Sequence, residues 1–259
     1  MFEVAAAYEE TMGRWSRQLA PLFVEFVGVQ EGESVLDVGC GTGSLAFTIA
    51  SMRRVAKVVG VDPSAAFIDF ARSRNSDPRV AFDVGDAERL PFPDASFDRC
   101  LSLLLITFIP NVSNGVREMR RVTRPGGVVA TCNWDNQGGM EVQRCFWDAV
   151  VALDPAAESR HQRNRPLGTA TNLSDLWSVG GFLNVEVKDL TIPLEFSSFD
   201  ALWAALTKNQ GPVGAYLATI SQERQVELRD KVRRDILGSR PDGPFNLKAK
   251  AWAVKGRVP

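Results

Sequence analysis

The stretch VLDVGCGTGS, Val35 to Ser44, decides how the chain is read. An apolar run is interrupted by Asp37 and followed by Gly39, Gly41 and Gly43, each separated from the next by a single residue. This predicts a buried strand that turns abruptly into a helix, since glycines lack the β-carbon that would keep the backbone from turning tightly and lying against a ligand. A dinucleotide turn spaces its glycines Gly-x-Gly-x-x-Gly, the third allowing the helix to pack closely over a pyrophosphate. Here the spacing is Gly-x-Gly-x-Gly, Ser occupies position 44, and a carboxylate precedes the turn. An acid at that place repels phosphate and attracts an ammonium or sulfonium, so the turn points to a cationic nucleoside.

Outward from this turn the pattern repeats. Apolar runs of strand length occur at Ser34–Val38, Val58–Val61, Val80–Phe82, Phe97–Ser102 and Val128–Cys132, separated by helical patterns at Ser44–Arg53, Ser64–Arg74 and Asn111–Val122. Strands alternating with helices imply parallel βαβ units covered on both faces, an α/β doubly wound domain. Ala5 to Val27 reads as one or two helices, and Glu141–Leu153 and Asn172–Val179 as further ones, the last stopped by Gly180-Gly181. Phe182–Phe196 and Phe245–Gly256 alternate as half-buried strands, with about two helices between Ser198 and Leu237. The polar tract AAESRHQRNRPLG reads as an exposed loop.

In such a sheet a ligand sits beyond the carboxyl ends of the strands. The second strand ends in VVGVDPS, placing Asp62 and Pro63 there, and a carboxylate at that point accepts hydrogen bonds from ribose hydroxyls. NAD enzymes use the same device, so Asp62 alone does not discriminate. The third strand is followed by GDAERLPFPDASFD, where Asp86 and the Ala87 amide suit an adenine edge and Leu90 and Phe92 are candidates to close its pocket.

Thirty basic against thirty-one acidic side chains leave a net charge of −1, with no field for collecting nucleic acid. Four scattered cysteines and one histidine predict no metal site and a reduced, cytoplasmic protein. The N-terminal MFEVAAAYEE has acids where a secretory signal is basic. The longest apolar stretch, LSLLLITFIP, is half of the roughly 20 residues a membrane span needs, so no membrane insertion is expected.

Taken together, VLDVGCGTGS, VVGVDPS, GDAERLPFPDASFD and EMRRVTRPGG resemble, in order and spacing, the class I S-adenosylmethionine-dependent methyltransferases of type 11, the group that includes quinone-biosynthesis enzymes. The resemblance covers about Val35 to Cys132. It implies a Rossmann-like seven-stranded sheet of order 3-2-1-4-5-7-6 with the seventh strand antiparallel, S-adenosyl-L-methionine as cofactor and S-adenosyl-L-homocysteine as product. It further implies a small-molecule acceptor methylated on O, N or C, and monomer or homodimer as the assembly. One domain over 1–259 is expected, with an N-terminal helical lid at 1–30, a cofactor-binding core at 34–132, and substrate caps at 138–168 and 198–240. The cofactor-binding roles fall on Asp37, Gly39, Cys40, Gly41 and Gly43, on Asp62 and Pro63, on Asp86 and Ala87, and on Leu103 beside Ser102. In YEETMGRWSR, Tyr8 and Arg14 would pair with the cofactor carboxylate and Trp15 would pack near the sulfonium.

Where many relatives have histidine after the fourth strand, this chain has Thr107 and Phe108, which leaves a general base and every catalytic residue unassigned. Several features also have plain structural readings. Asp62-Pro63-Ser64 suits a helix start capped by Ser64, Arg124-Pro125-Gly126-Gly127 a turn into the fifth strand, and Cys40 a small packed group. His161, among Arg160, Arg163 and Arg165, reads as part of a solvated loop, with a basic lid over an acidic substrate, or a histidine base, as the functional alternative. Two other functions remain open at this point: an NAD(P)-dependent oxidoreductase and a non-catalytic cofactor-binding module.

Overall fold

The computed structural model describes residues 12–207 and 212–259. Along the chain run α1 (Arg14–Val27), β1 (Ser34–Val38), α2 (Ser44–Met52), β2 (Lys57–Asp62), α3 (Ala65–Arg74), β3 (Val80–Val84) and β4 (Phe97–Leu103). They are followed by α4 (Val112–Val122), β5 (Thr123–Trp134), α5 (Glu141–Leu153), α6 (Ala170–Val179), β6 (Leu183–Phe196), α7 (Phe199–Thr207), α8 (Pro212–Leu217), α9 (Gln222–Leu237) and β7 (Phe245–Arg257). The strands form one seven-stranded sheet of order β3-β2-β1-β4-β5-β7-β6. β1 pairs parallel with β2 and β4, and β7 pairs antiparallel with β5, as the resemblance implies.

Two compact units emerge. The first comprises the described residues up to Trp134 with Pro166–Leu190 and Ala251–Pro259; the second comprises those of Asp135–Arg165 and Thr191–Lys250. In the first unit, strand alternation decides which residues meet which helices. Leu36 and Val38 of β1 join an apolar cluster with Val59 and Val61 of β2, Val116 and Met119 of α4, and Leu173 and Trp177 of α6. The Trp177 indole donates to the Val129 carbonyl at 3.0 Å and so pairs its polar atom while buried. Asp37 lies between Leu36 and Val38 and therefore faces the opposite side of the sheet, toward α2. The side chain of Ser64 caps α3 by accepting from the Phe67 amide, the plain reading of that serine.

The second unit has its own core. Phe146 and Trp147 of α5, Phe199 and Trp203 of α7 and Tyr216 of α8 form a chain of ring contacts with centroids 5.4 to 6.3 Å apart. Between β6 and β7 the described residues hold three helices, α7 to α9, one more than the periodicity suggests. The six-residue α8 is too short for a helical period to register. Thr123 to Gly127 also depart from expectation: they belong to β5 itself, and the ladder with β4 shifts register between Phe97 and Arg99 where Gly126 takes a positive φ. The ranges expected as caps, 138–168 and 198–240, fall in this second unit except for residues 166–168.

Candidate functional site

The turn after β1 is built by hydrogen bonds that point inward. Gly39 and Cys40 both donate their amides to the Val61 carbonyl, at 2.7 and 3.0 Å, and Gly43 donates to Cys40 at 2.8 Å. Gly41 donates to Asp62 Oδ2 at 3.0 Å, and the other Asp62 oxygen accepts from Ser64 at 2.9 Å. Asp62 thus braces the glycine turn and the start of α3 together. Gly39 and Gly43 are required by space as well as by their positive φ. A β-carbon on Gly39 would lie 2.6 Å from the Leu105 side chain, and one on Gly43 would lie 2.7 Å from Phe47 and 2.8 Å from Phe82. Gly41 differs: its φ is +53° but a β-carbon there would meet nothing within 4 Å. Open space lies over the middle glycine.

The buried acid now has a structural cause. Gly43, at the N-cap of α2, has no side chain to satisfy the unpaired amides of the first turn. Asp37 Oδ2 does so from the neighbouring strand, accepting from Ala46 N–H at 3.1 Å. Its other oxygen, Oδ1, is buried with no partner among the described residues. Burial pushes the Asp37 carboxyl up from 3.8 to about 7, partly offset by the Ala46 bond and reinforced by the charge of Asp62. Burial also raises Asp62, against its bonds from Ser64 and Gly41.

Asp37, Gly39, Cys40, Gly41 and Leu103 line one narrow cavity, with Ser16 of α1 and Thr42, Ser44 and Leu45 of the turn and α2 completing it. Ser16, Thr42 and Leu45 had no signal in the sequence beyond their neighbourhood. Gly43 does not line this cavity and packs against Phe47 and Phe82, and Asp62 reaches it only through its bond from Gly41. Pro63 is exposed. Asp86 lies exposed after β3, where its Oδ1 accepts from the Glu88 amide, and Ala87 is buried in the apolar cluster. Leu90 and Phe92, expected to close an adenine pocket, turn into that cluster instead, Phe92 edge-on against Phe97 at 5.0 Å. Ser102 is fully buried, its hydroxyl 2.8 Å from that of Thr131, so Leu103 alone of the pair reaches the cavity.

At the start of α1, Arg14 is exposed and Trp15 is buried with its indole N–H unpaired. Tyr8 lies outside the described residues. Cys40 is a packed group, as its plain reading has it. A β-carbon on Gly60 would sit 2.9 Å from its sulfur, and burial pushes its thiol well above the usual range. After β4, Leu104 takes a positive φ of 63° that nothing in LLL announces, Thr107 is half-buried and Phe108 is 73% exposed. His161 overturns its solvated reading, being only 3% exposed. Its Nδ1 accepts from the Arg163 amide at 3.1 Å, which leaves Nε2 to donate to Asp148 Oδ1 at 3.1 Å. With both ring nitrogens engaged, His161 has no free lone pair to act as a base. Among the described residues no group of His, Cys, Asp and Glu is placed to hold a metal ion, and no helix is long and apolar enough to cross a membrane.

A family model described as a methyltransferase domain, of the type 11 group, matches residues 36–131, the span that contains the glycine turn, Asp62 and Asp86. Residues 36–131 are therefore similar to a class I methyltransferase domain of type 11. The chain is 29% identical over 187 residues to a 2-methyl-6-phytyl-1,4-hydroquinone methyltransferase of Synechocystis, covering 70% of this chain and 56% of that one. It is 35% identical over 147 residues to the methyltransferase GfsG of Streptomyces halstedii, covering 55% and 52%. The chain spans about half the length of the curated relatives it matches. The fold is shared with Haemonchus contortus phosphoethanolamine N-methyltransferase 2, solved in complex with S-adenosyl-L-methionine, at a TM-score of 0.61 and 19% identity. That match covers 100% of this chain and 58% of the other.

Proposed function

We propose that the chain transfers the methyl group of S-adenosyl-L-methionine to a small-molecule acceptor. The observation that carries this reading is the unpaired Oδ1 of Asp37, a buried acid beside open space over Gly41. A buried polar atom without a partner is uncommon and destabilising, and a positively charged ligand end facing it would satisfy it. The residues fit the cofactor on that ground. When bound, the sulfonium supplies an electrophilic methyl and leaves as S-adenosyl-L-homocysteine.

Asp37 faces the charged methionine end, Gly41 leaves room for it, and Leu103 with Ser16 shields it from water. Asp62 keeps lone pairs beyond its two backbone bonds, because a carboxylate offers about four acceptor sites, and these suit ribose hydroxyls. Asp86 and Ala87, at the end of β3, are the adenine-side candidates. Holding the nucleophile in line is the main catalytic task, and good alignment supplies about 7–11 kcal/mol of barrier reduction. A base is needed only when the nucleophile must lose a proton early, and Thr107 and Phe108 supply none. The curated relatives' names, a phytyl-hydroquinone methyltransferase among them, support a small organic acceptor. The near-zero net charge argues against nucleic acid, and four unpaired cysteines suit a cytoplasmic setting.

The NAD(P) alternative is disfavoured by the same turn. The amides of Gly39, Cys40, Gly41 and Gly43 all donate to protein oxygens rather than toward a pyrophosphate, and Asp37 would repel one. Calorimetry with S-adenosyl-L-methionine and with NADH separates the two; NADH binding without cofactor binding overturns the proposal. A metabolite screen that reads S-adenosyl-L-homocysteine release then finds the acceptor. Tight cofactor binding with no release from any acceptor would favour the non-catalytic module.

A further inference from the structure

In the second unit the 3-10 turn Gln162–Asn164 and its C-cap residue Arg165 carry two polar side chains without partners among the described residues. Gln162 is 1% exposed, and neither its amide nitrogen nor its amide oxygen has a hydrogen-bond partner among the described residues. A side-chain amide so buried has two donors and an acceptor to satisfy, and native proteins seldom leave any of them unpaired. Arg165 follows three residues later, its own amide closing the turn on the Gln162 carbonyl at 3.0 Å. Arg165 is the extended C-cap of the turn, three residues from Gln162, the spacing at which positions along a 3-10 turn come back to the same side of its axis.

The neighbouring arginines have partners. Arg163 is paired with Glu158, and Arg160 lies 5.6 Å over the Tyr216 ring. Arg165, half-buried, has no carboxylate within ion-pair distance and no aromatic ring beneath it among the described residues. Burial lowers its guanidinium from the ordinary value, with no nearby acid to offset it. The turn itself is held rigidly: His161 joins it to Asp148 of α5, and the side chain of Asn164 donates to Glu158 O at 2.7 Å. A fixed frame carrying an unpaired amide and an unpaired cation is arranged for an anionic ligand.

We propose that Gln162 and Arg165 form a carboxylate-binding site in the second unit, the anchor for an acceptor that carries a carboxylic acid. The guanidinium takes the carboxylate, most stably with two parallel bonds. The Gln162 NH2 donates to the same group, and its carbonyl oxygen accepts from a hydroxyl or amide next to the acid. The description of the ligand as an acceptor rests on the methyl-transfer reading. The anion site itself does not, so the two fail separately.

The test uses the full chain loaded with S-adenosyl-L-homocysteine. Ligand-observed NMR and calorimetry are run with aliphatic, aromatic and hydroxy carboxylic acids, each matched by its primary amide and by a phosphate monoester of similar shape. The acids are expected to bind at least about tenfold more tightly than their amides. Gln162→Met and Arg165→Lys should each weaken acid binding about tenfold, with cofactor affinity unchanged within twofold. Gln162→Met keeps the volume and removes an unpaired amide, so the variant is expected to fold, with an unchanged or raised Tm. Acids that bind no better than amides, or unchanged acid affinity in both variants, overturn the site. Tighter binding of the phosphate esters overturns the assignment to a carboxylate. Acid binding without methyl transfer to any acid leaves the anion site standing and counts against the acceptor role.

Discussion

Replacing Asp37 with asparagine tests the candidate site because it should make the ligand-free protein more stable and the cofactor site worse. The carboxyl rises from 3.8 to about 7 on folding, a shift worth about 4 kcal/mol between its two protonation states. Because the folded value is raised, the folded chain keeps a proton that the unfolded chain has lost between pH ~4 and ~7. Stability therefore falls as pH rises through that window, and the full cost is present above it. The asparagine side chain would keep an oxygen to accept from Ala46 and would carry no charge, so Asp37→Asn should stabilise the apo chain by about 3–4 kcal/mol at pH 8 and by about 1–2 kcal/mol at pH 5. Urea unfolding followed by tryptophan fluorescence at the two pH values measures the gain. Affinity for S-adenosyl-L-methionine should fall at least about tenfold in the variant at pH 8, because a charge-assisted contact is lost. In the wild type, affinity should weaken as pH drops below about 7 and Asp37 gains its proton, while the variant shows a flat profile. A variant less stable than wild type at pH 8, or a gain that does not grow between the two pH values, would refute the account of this acid.

The glycines separate packing from binding. Gly41→Ala should cost only about 1–2 kcal/mol, the strain of a positive φ, yet weaken cofactor binding at least about tenfold, because its β-carbon enters open space rather than protein. Gly43→Ala must displace Phe47 and Phe82 and should lose about 3 kcal/mol or more, stability and affinity falling together; thermal melts beside calorimetry distinguish the two patterns, and identical behaviour would contradict the placement of the ligand. His161→Ala should lower stability by about 2–3 kcal/mol through its lost bonds to Asp148 and from Arg163, with cofactor affinity unchanged; a neutral effect on stability would contradict its buried position.

What could be read in the sequence was whatever is local. The strands and the glycine turn follow from short apolar runs and from glycine spacing, because strand and turn geometry is set within a few residues, whereas the strand order came only from the family resemblance. The acid at position 37 was legible as a break in an apolar run, and its charge pointed away from a pyrophosphate while leaving the NAD(P) alternative open. Its task of capping α2 was not legible, since that needs the register that brings β1 beneath the first turn of the helix. Leu90 and Phe92 were misplaced for the same reason. Whether an apolar residue after a strand closes a pocket or joins the core depends on the neighbouring helix, here α4, which supplies Val116 and Met119 to the cluster.

The tract AAESRHQRNRPLG shows the same limit from the opposite side. Polar composition predicts solvent because an isolated polar segment gains nothing by burial. Here Asp148 on α5 offers His161 a hydrogen-bond partner, and once that bond forms the next residue, Gln162, is carried into the interior whether or not its amide is satisfied. An unpaired buried amide is therefore not explained by the packing that buries it, since Met or Leu would fill the same volume without the penalty. A ligand that completes its hydrogen bonds removes that penalty. The cofactor end of the molecule declares itself by spacing because one ligand is met by one turn, whereas the acceptor end depends on side chains brought inward by tertiary contacts. The proposed cofactor could thus be read from short motifs, whereas the proposed carboxylate anchor rests on the fold.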